Sequence, residues 1–229
     1  MAAVRIHPTA WIEDGVEIGD GTSVWDSVHI RAPSSIGRSC IIGEKTYIAY
    51  GVQIGDRVKI NAFVYVCAAV TIETGVMIAA GTIFTNDRFP RATTPDLSAL
   101  RDSGPDEHTY PTHVCAGATI GARSVIGSDL RIGRFAMIGM GSVVTRDVPP
   151  FHLVLGHPAR SVGIVCRCGE RLLGAANGCE DVTGVLSCKA CGLVYDVQAG
   201  HVTELTPPSI IAAPAQEQAH FGIDPETAA

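Results

Sequence analysis

Four cysteines near the C-terminal end have the spacing of a metal site. The run CRCGERLLGAANGCEDVTGVLSCKAC holds a Cys-x-Cys pair, an interval of 19 residues and a Cys-x-x-Cys pair. Two short pairs spaced in this way can present four thiolates tetrahedrally, which is the preferred ligand set of structural zinc. Such a site has no open position, so we expect it to fold a small module rather than to catalyse a reaction. The expected ligands are Cys166, Cys168, Cys188 and Cys191.

The elements that must position any other site follow a six-residue repeat. Counting in sixes from Ile6 to Phe84, and again from Val114 to Val144, meets a large apolar residue at each of twenty positions. The residue two places earlier is commonly small or β-branched. A helix would show a period of 3.6 and an ordinary strand a period of 2.0. The pattern instead predicts short strands that stack in coils around one continuous apolar core.

Glycine often follows the large residue of the repeat, as at Gly37 and Gly139. We interpret this position as a tight corner whose strained backbone dihedrals glycine accepts. The predicted fold class is therefore all-β, a parallel β-helix built of stacked coils.

One long interruption breaks the repeat at residues 85–113. This excursion is polar, carries four prolines and returns to the repeat in phase. A long irregular segment inside a rigid scaffold usually carries function, the alternative being a tolerated surface insertion. We therefore expect site residues in the excursion.

These repeats resemble those of the hexapeptide-repeat acyltransferases over about two-thirds of the chain. The resemblance implies a left-handed β-helix with three hexads per coil, hence six to seven coils here, and a homotrimer with active sites in clefts between subunits. The segments FTNDRFPR and VWDSVHIRAPSSIG are similar to those of nucleotide-sugar 3-N-acetyltransferases. That subfamily transfers an acetyl group from acetyl-CoA to UDP- or dTDP-linked 3-amino sugars.

The resemblance also implies roles for individual residues. Asn86 matches the cleft asparagine that lies close to the sugar amine. The residues expected to bind substrate are His29, Arg31, Arg88 and Arg91. Since an amide is no base, Asn86 would position the amine, and the base would be water or a titratable group. The nearest candidates are Asp87, His108 and His113, of which His113 stands where the chain rejoins the repeat.

In this family, coenzyme A lies along the edge formed by the last coils. The expected contacts are backbone groups near Ala118, Ala136, Gly139 and Ser142. Arg160, in the segment GHPARSVG, could bind a cofactor phosphate.

The sequence departs from the subfamily at three places. Ala62 and Phe63 stand where relatives carry two asparagines. Cys67, Ala68 and Ala69 replace Tyr-Glu-Gly, and Ala116 replaces a basic residue. These changes predict a less polar cleft and leave the sugar and the nucleotide open.

Composition and charge limit the possible partners. The net charge is −6 and no basic stripe is present, which argues against nucleic acid. No signal peptide or membrane-length apolar run is found, so the chain is expected to be cytoplasmic. We expect a β-helix acyltransferase domain at 1–163, a zinc-ribbon module at 164–205 and a disordered tail at 206–229.

Three alternatives to N-acetyl transfer remain open from the sequence. The first is O-acyl transfer to a sugar or small metabolite. The second is a non-catalytic assembly protein that uses the ribbon to dock a partner. The third is a zinc hydratase of the prismatic carbonic-anhydrase type, for which His108 and His113 have the right spacing but lie in the excursion rather than on adjacent coils.

Overall fold

Twenty short strands follow the twenty hexads, and each strand ends on the large residue of its hexad. The structure is a computed structural model that describes residues 3–102, 104, 106, 109–174 and 178–206. The strands are β1 (Arg5–Ile6), β2 (Trp11–Ile12), β3 (Glu17–Ile18), β4 (Ser23–Val24), β5 (His29–Ile30), β6 (Ser35–Ile36), β7 (Ile41–Ile42), β8 (Tyr47–Ile48), β9 (Gln53–Ile54), β10 (Lys59–Ile60), β11 (Tyr65–Val66), β12 (Val70–Ile72), β13 (Met77–Ile78), β14 (Ile83–Phe84), β15 (Thr112–Val114), β16 (Thr119–Ile120), β17 (Val125–Ile126), β18 (Leu130–Ile132), β19 (Met137–Ile138) and β20 (Val143–Val144).

Every third strand joins the same parallel sheet, so the three sheets form the walls of a prism. The first wall begins with β1 and β4, the second runs from β2 to β20, and the third joins β3 to β18. Neighbouring coils pair in register, with Ile42 opposite Ile60 and Ile60 opposite Ile78. Among the described residues there is no helix. The predicted all-β fold of stacked parallel coils is confirmed.

The interior of the prism is filled by the two repeat positions that the sequence singled out. The large residues from Ile30 to Val144 are at most 4% exposed, and the small residues two places earlier are buried beside them. Where the small residue is polar, its hydroxyl bonds to the backbone of a neighbouring coil, as Thr22 does to the Gly37 carbonyl. This pairing satisfies a buried polar group and ties successive coils together.

The interpretation of the corner glycines was wrong in its cause. The left-handed backbone conformation lies two residues further on, and residues with side chains often adopt it there: Ser27, Ser39, Lys45, Arg57, Phe63, Ala69, Arg123, Asp129 and Phe135. The glycine after the large residue is needed for space instead. A Cβ on Gly37 would lie 2.5 Å from the carbonyl carbon of Gly55 in the next coil.

The excursion leaves the prism after β14 and returns at β15 without shifting the register. Thr112, His113 and Val114 pair with Val70, Thr71 and Ile72 of the preceding coil. Its two ends are joined, since the Tyr110 N–H donates to the Asn86 carbonyl at 2.9 Å. The excursion is therefore anchored at its base, and Asn86 lies at the anchor.

Among the residues that the structure describes after the prism there are six further strands: β21 (His152–Gly156), β22 (Ala159–Val165), β23 (Arg171–Gly174), β24 (Gly184–Ser187), β25 (Val194–Gln198) and β26 (His201–Glu204). The first three extend the first wall of the prism, and the last three form a separate antiparallel sheet. Strand β22 runs through Gly163, where the domain boundary was expected. The tail predicted to be disordered lies, from residue 207, outside the described residues.

A second apolar core joins this C-terminal module to the end of the prism. Phe151 of the last coil, Ile164 of β22 and Tyr195 of β25 are all buried in it. Within the described part of the chain, no helix is long and apolar enough to cross a membrane.

Candidate functional site

A column of rings runs along the outer face of the second wall. Trp11, His29, Tyr47 and Tyr65 occupy the same position in four successive coils. Trp11 stacks on His29 with centroids 4.1 Å apart, His29 meets Tyr47 edge-on at 5.3 Å, and Tyr47 stacks on Tyr65 at 5.3 Å. Sequence reasoning missed this aromatic column, although counting in eighteens from Trp11 would have found it.

A pocket of about 600 Å³ opens beside the aromatic column. It is lined by Arg31, Tyr47, Ala49, Tyr50, Tyr65, Cys67, Ala68, Asn86 and Gly104. Of these lining residues, Arg31 alone carries a formal charge at neutral pH. The pocket therefore offers one cation, one amide and three phenol rings.

Arg31 is held in place from several sides. Its Nε lies 3.0 Å from the Glu13 Oε1 atom, and its guanidinium lies over the Tyr50 ring at 5.3 Å. Tyr47 and then Glu13 raise the pKa of Arg31 above its usual value by hydrogen bonding. The Ala32 N–H donates to the other Glu13 oxygen, and this bond is the main cause of the lowered pKa of Glu13. Arg31 is thus a fixed, permanently charged group.

Asn86 lies at the point where the excursion leaves β14. Its amide nitrogen donates to the Ala68 carbonyl at 3.5 Å, which leaves the amide oxygen to accept a hydrogen bond from a ligand. Burial raises the pKa of the nearby Cys67 thiol to about 12, so this thiol is neutral. Cys67 and Ala68 make this side of the pocket apolar, whereas a less polar cleft as a whole stays a prediction.

The structure brings only some of the predicted site residues together. Asn86 and Arg31 line the same pocket. His29 lies in the aromatic column beside the pocket, and its Nε2 atom is 3.1 Å from the Glu13 Oε1 atom. Asp87, Arg88, Arg91 and His113 are not among the described residues that line the pocket. His108 lies outside the described residues.

Three of these residues, which closely follow Asn86 in the excursion, have other partners. Asp87 accepts a hydrogen bond from the Phe89 N–H at 2.7 Å. Arg88 pairs with Asp129 at 2.5 Å and lies over the Tyr110 ring. Arg91 donates to the Pro90 carbonyl and is otherwise exposed.

His113 lies on the third wall, where it contacts Glu73 of the preceding coil. The His113 Nε2 and Glu73 Oε1 atoms are 2.6 Å apart, and the Ala116 N–H donates to the other Glu73 oxygen at 2.8 Å. Glu13 binds His29 and the Ala32 N–H in the same way. The arrangement therefore holds coils together at two corners, and a catalytic role for His113 stays a prediction.

The residues predicted to meet coenzyme A lie in the last coils but are largely enclosed. Ala118, Ala136 and Ser142 are at most 1% exposed. The Ala118 carbonyl accepts from the Met77 N–H, and the Ala136 carbonyl accepts from the Thr119 N–H. The Gly139 N–H donates to the Val154 carbonyl, and the Ser142 hydroxyl accepts from the Gly156 N–H.

Other residues, adjacent to this predicted set, form the outer surface of the last coils. Met140 is 82% exposed, and Leu155 is also exposed beside Gly139. Arg160 is exposed on β22. A cofactor on this edge would therefore touch Met140 and Leu155 before the enclosed residues, and its contact with the predicted set stays a prediction.

The four cysteines converge as their spacing predicted. All four sulfur atoms lie within 4.8 Å of one another, with Cys166 3.4 Å from Cys191 and Cys168 3.6 Å from Cys188. Zinc–sulfur bonds of about 2.3 Å in a tetrahedron place the sulfurs about 3.8 Å apart, whereas a disulfide needs about 2.0 Å. The distances match a shared metal ion.

Backbone N–H groups surround these sulfurs. Cys166, Cys168, Cys188 and Cys191 each accept a hydrogen bond from the N–H two residues later. Although burial opposes it, the N–H groups of Cys191 and Ala190 lower the pKa of Cys188 to about 7. The pKa values of Cys166, Cys168 and Cys191 are raised, that of Cys166 mainly by burial. Donors aimed at sulfur stabilise the thiolate form that binds metal.

Comparison with known proteins matches the repeats to hexapeptide families. The bacterial transferase hexapeptide family (six repeats) matches residues 51–86, and the hexapeptide repeat of succinyl-transferase matches residues 33–68 and 114–146. The chain is 43% identical over 94 residues to dTDP-3-amino-3,6-dideoxy-alpha-D-galactopyranose 3-N-acetyltransferase of Aneurinibacillus thermoaerophilus, which covers 41% of this chain and 45% of the relative.

Two further relatives support the fold assignment. The bifunctional protein GlmU of Thermotoga maritima is 32% identical over 189 residues, covering 67% of this chain and 42% of that protein. The solved structure of LpxA, a UDP-N-acetylglucosamine acyltransferase from Bacteroides fragilis, has a TM-score of 0.57 at 18% identity and covers 71% of this chain and 62% of LpxA. The chain spans less than half the length of the curated relatives named here. The repeats that build the prism of this chain are similar to those of the bacterial transferase hexapeptide family.

Proposed function

We propose that this protein is an acetyl-CoA-dependent N-acetyltransferase that acts on the amine of a nucleotide-linked 3-amino sugar carrying UDP or dTDP. The placement of Asn86 in the pocket with Arg31 is the observation that carries the proposal. The amide can accept a hydrogen bond from an amine, and the guanidinium can bind a phosphate. The 94-residue match to a 3-N-acetyltransferase supports the same substrate class.

The chemistry requires a neutral amine and a polarised thioester held about 3 to 3.5 Å apart. The amine nitrogen attacks the thioester carbonyl, a C–N bond forms, and the C–S bond breaks. The coenzyme A sulfur leaves and takes up a proton, while the nitrogen loses one. The amine would donate one of its own N–H groups to the amide oxygen of Asn86. This bond would orient the amine so that its nitrogen lone pair points at the thioester carbonyl carbon.

We assign His113 as the candidate base that removes the amine proton. Its Nε2–H would donate to Glu73, which leaves Nδ1 as the basic nitrogen. Because His113 and the pocket lie on different walls of one prism, this role requires the homotrimer that the family resemblance implies. A neighbouring subunit would then supply the base or the pocket.

The four-cysteine cluster is proposed to bind zinc. The sulfur distances and the backbone donors fit a tetrahedral thiolate site. Zinc would join the turn after β22, which carries Cys166 and Cys168, to the turn after β24, which carries Cys188 and Cys191. Metal analysis of the purified full chain should find about one zinc per chain.

The test of the proposed reaction monitors thiol release. The full chain is incubated with acetyl-CoA and a panel of UDP- and dTDP-sugars that carry an amine at C3, an amine at C4, or only hydroxyl groups. Release with the 3-amino sugars supports the proposal. Release with the hydroxyl sugars alone would indicate O-acylation, and no release with any acceptor would refute acyl transfer to sugars.

A further inference from the structure

The last coil of the prism is closed by a hairpin formed by β21 and β22. Strand β21 pairs with β19, placing Leu153 beside Met137 and Val154 beside Ile138. From this hairpin, the Val154 carbonyl accepts the Gly139 N–H and the Gly156 N–H donates to the Ser142 hydroxyl. The closing hairpin therefore fixes the surface of the edge on which coenzyme A is expected.

His152 begins this hairpin and is only 5% exposed. Its Nδ1 lies 2.8 Å from the Ser161 hydroxyl of β22, and its Nε2 lies 2.8 Å from the Gly200 carbonyl. A carbonyl oxygen only accepts, so Nε2 carries the hydrogen, and in the neutral ring Nδ1 accepts from Ser161. One buried side chain thus links the two hairpin strands to each other and to the C-terminal module.

Gly200 lies in the turn between β25 and β26, on the sheet that zinc would connect to the prism. Its own N–H donates to the Val182 carbonyl at 2.9 Å, so the position of the turn is fixed. Phe151, the residue before His152, packs edge-on against Tyr195 of β25 at 5.4 Å. The Tyr195 hydroxyl lies 3.1 Å from the Cys166 sulfur. A short chain of contacts therefore leads from the cysteine cluster to His152.

A buried ion-pair group attaches the same sheet to the prism. Glu204 of β26 lies between Arg134 and Arg167, at 2.6 and 2.8 Å. Arg167 stands between the ligands Cys166 and Cys168 and lies 4.3 Å from the centroid of the Phe135 ring. The contact with Arg167 is one of charge rather than an aligned hydrogen bond, since neither Arg167 Nε nor Glu204 Oε1 meets a hydrogen-bond geometry.

We propose that His152 is a positioning residue through which the zinc-bearing module holds the closing hairpin in the geometry that coenzyme A needs. The proposal rests on the proposed function, because it takes the last coils as the cofactor edge. In this role the zinc-bearing module would stabilise the closing hairpin as well as its own fold. Loss of either zinc or the His152 contacts would free the hairpin and remodel the surface around Met140 and Leu155.

The experiment compares His152→Leu, which loses both hydrogen bonds, with His152→Gln, whose amide can donate to Gly200 and accept from Ser161. Coenzyme A affinity is measured by calorimetry on the full chain, and hairpin opening is measured by hydrogen exchange at residues 152–165. We expect His152→Leu to weaken coenzyme A binding about tenfold and to speed exchange in the hairpin. His152→Gln should stay within about threefold of the parent, and the KM for the amine should not change.

Removal of zinc supplies the second arm. The chelator-treated parent should lose coenzyme A affinity to the same extent as His152→Leu, and the treated His152→Leu should lose no more, because both changes act on one contact. Ser161→Ala is a milder variant that breaks the hairpin contact alone and should give a smaller loss in the same direction. Cys179→Ala, a buried cysteine of the module outside the cluster, controls for general damage.

Parent-like affinity and hairpin exchange in both His152→Leu and the zinc-free chain would overturn the proposal, and so would additive losses. If the parent itself bound no coenzyme A, the proposed function and the cofactor role of His152 would both fall. Hydrogen exchange would then still decide whether zinc and His152 hold the hairpin, so the two failures are distinguishable.

Discussion

The corner glycines provide a direct test of what the repeat requires. Gly37 follows the large residue of its hexad, and a Cβ there would lie 2.5 Å from the backbone carbonyl carbon of Gly55. The shortest ordinary contact of this kind is 3.4 Å, so the shortfall is about 0.9 Å. The obstacle is backbone held by a ladder bond, because the Gly37 N–H donates to Ile54 at 2.8 Å. No side-chain rotation can relieve it.

Gly51 is the matched control, since its constraint is dihedral rather than steric. Its φ is +71°, and nothing lies within 4 Å of where its Cβ would be. Ala69 already adopts a φ of +64° at the equivalent corner of the same prism. Alanine at position 51 therefore meets only the modest cost of a left-handed conformation, about 1 kcal/mol.

We expect Gly37→Ala to lower the free energy of unfolding by about 3 kcal/mol, the upper range for overpacking, and Gly51→Ala by about 1 kcal/mol or less. At about 2 to 4 °C per kcal/mol for a chain of this size, the melting temperature should fall by about 6 to 12 °C and about 2 to 4 °C respectively. Thermal unfolding followed by circular dichroism measures both. A loss in Gly37→Ala no larger than that in Gly51→Ala would show that the backbone of the next coil can give way, and would refute the steric argument.

Three further outcomes concern the site and the cap. Asn86→Ala should lower kcat for the 3-amino sugar about 10²-fold through lost positioning, whereas Asn61→Ala, an asparagine outside the pocket lining, should leave it unchanged; equal kcat values would remove Asn86 from the site. His113→Ala should lower turnover at neutral pH about 10²-fold if it is the base, and unchanged turnover would leave it the corner role that His29 plays with Glu13. Burial lowers the pKa of His152 below its usual value, and His201 adds to this shift, while the hydrogen bond to the Gly200 carbonyl and the charge of Glu180 oppose it. The unfolded chain therefore binds the proton more readily, so this contribution to stability is present above about pH 6.5 and lost as the pH falls below it. Denaturant midpoints between pH 5 and 7.5 should fall more steeply in the parent than in His152→Gln, and parallel curves would contradict the assignment.

The sequence alone determined the architecture of the prism, because the position of a residue within its hexad predicts whether its side chain faces the interior or the solvent. A large apolar residue every sixth position must face inward, and its in-phase return at Val114 requires the excursion to loop out without shifting the coils. All twenty strands end where that count placed them. The sequence also predicted the cysteine cluster, because two closely spaced pairs of cysteines indicate a metal site whatever the rest of the fold is.

The family resemblance named Asn86 and Arg31, but only the tertiary structure assembled the pocket around them. The pocket joins Arg31, Tyr47 and Asn86, which are of different types and separated by up to 55 positions in the sequence. They meet because parallel coils stack residues 18 positions apart and because the excursion begins beside the aromatic column. His152 was invisible for the same reason: its partners, Ser161 and Gly200, are set by a hairpin and by a separate sheet that docks on the end of the prism. A repeat fixes what each position does within its own coil, whereas a site depends on which different positions are brought together across coils.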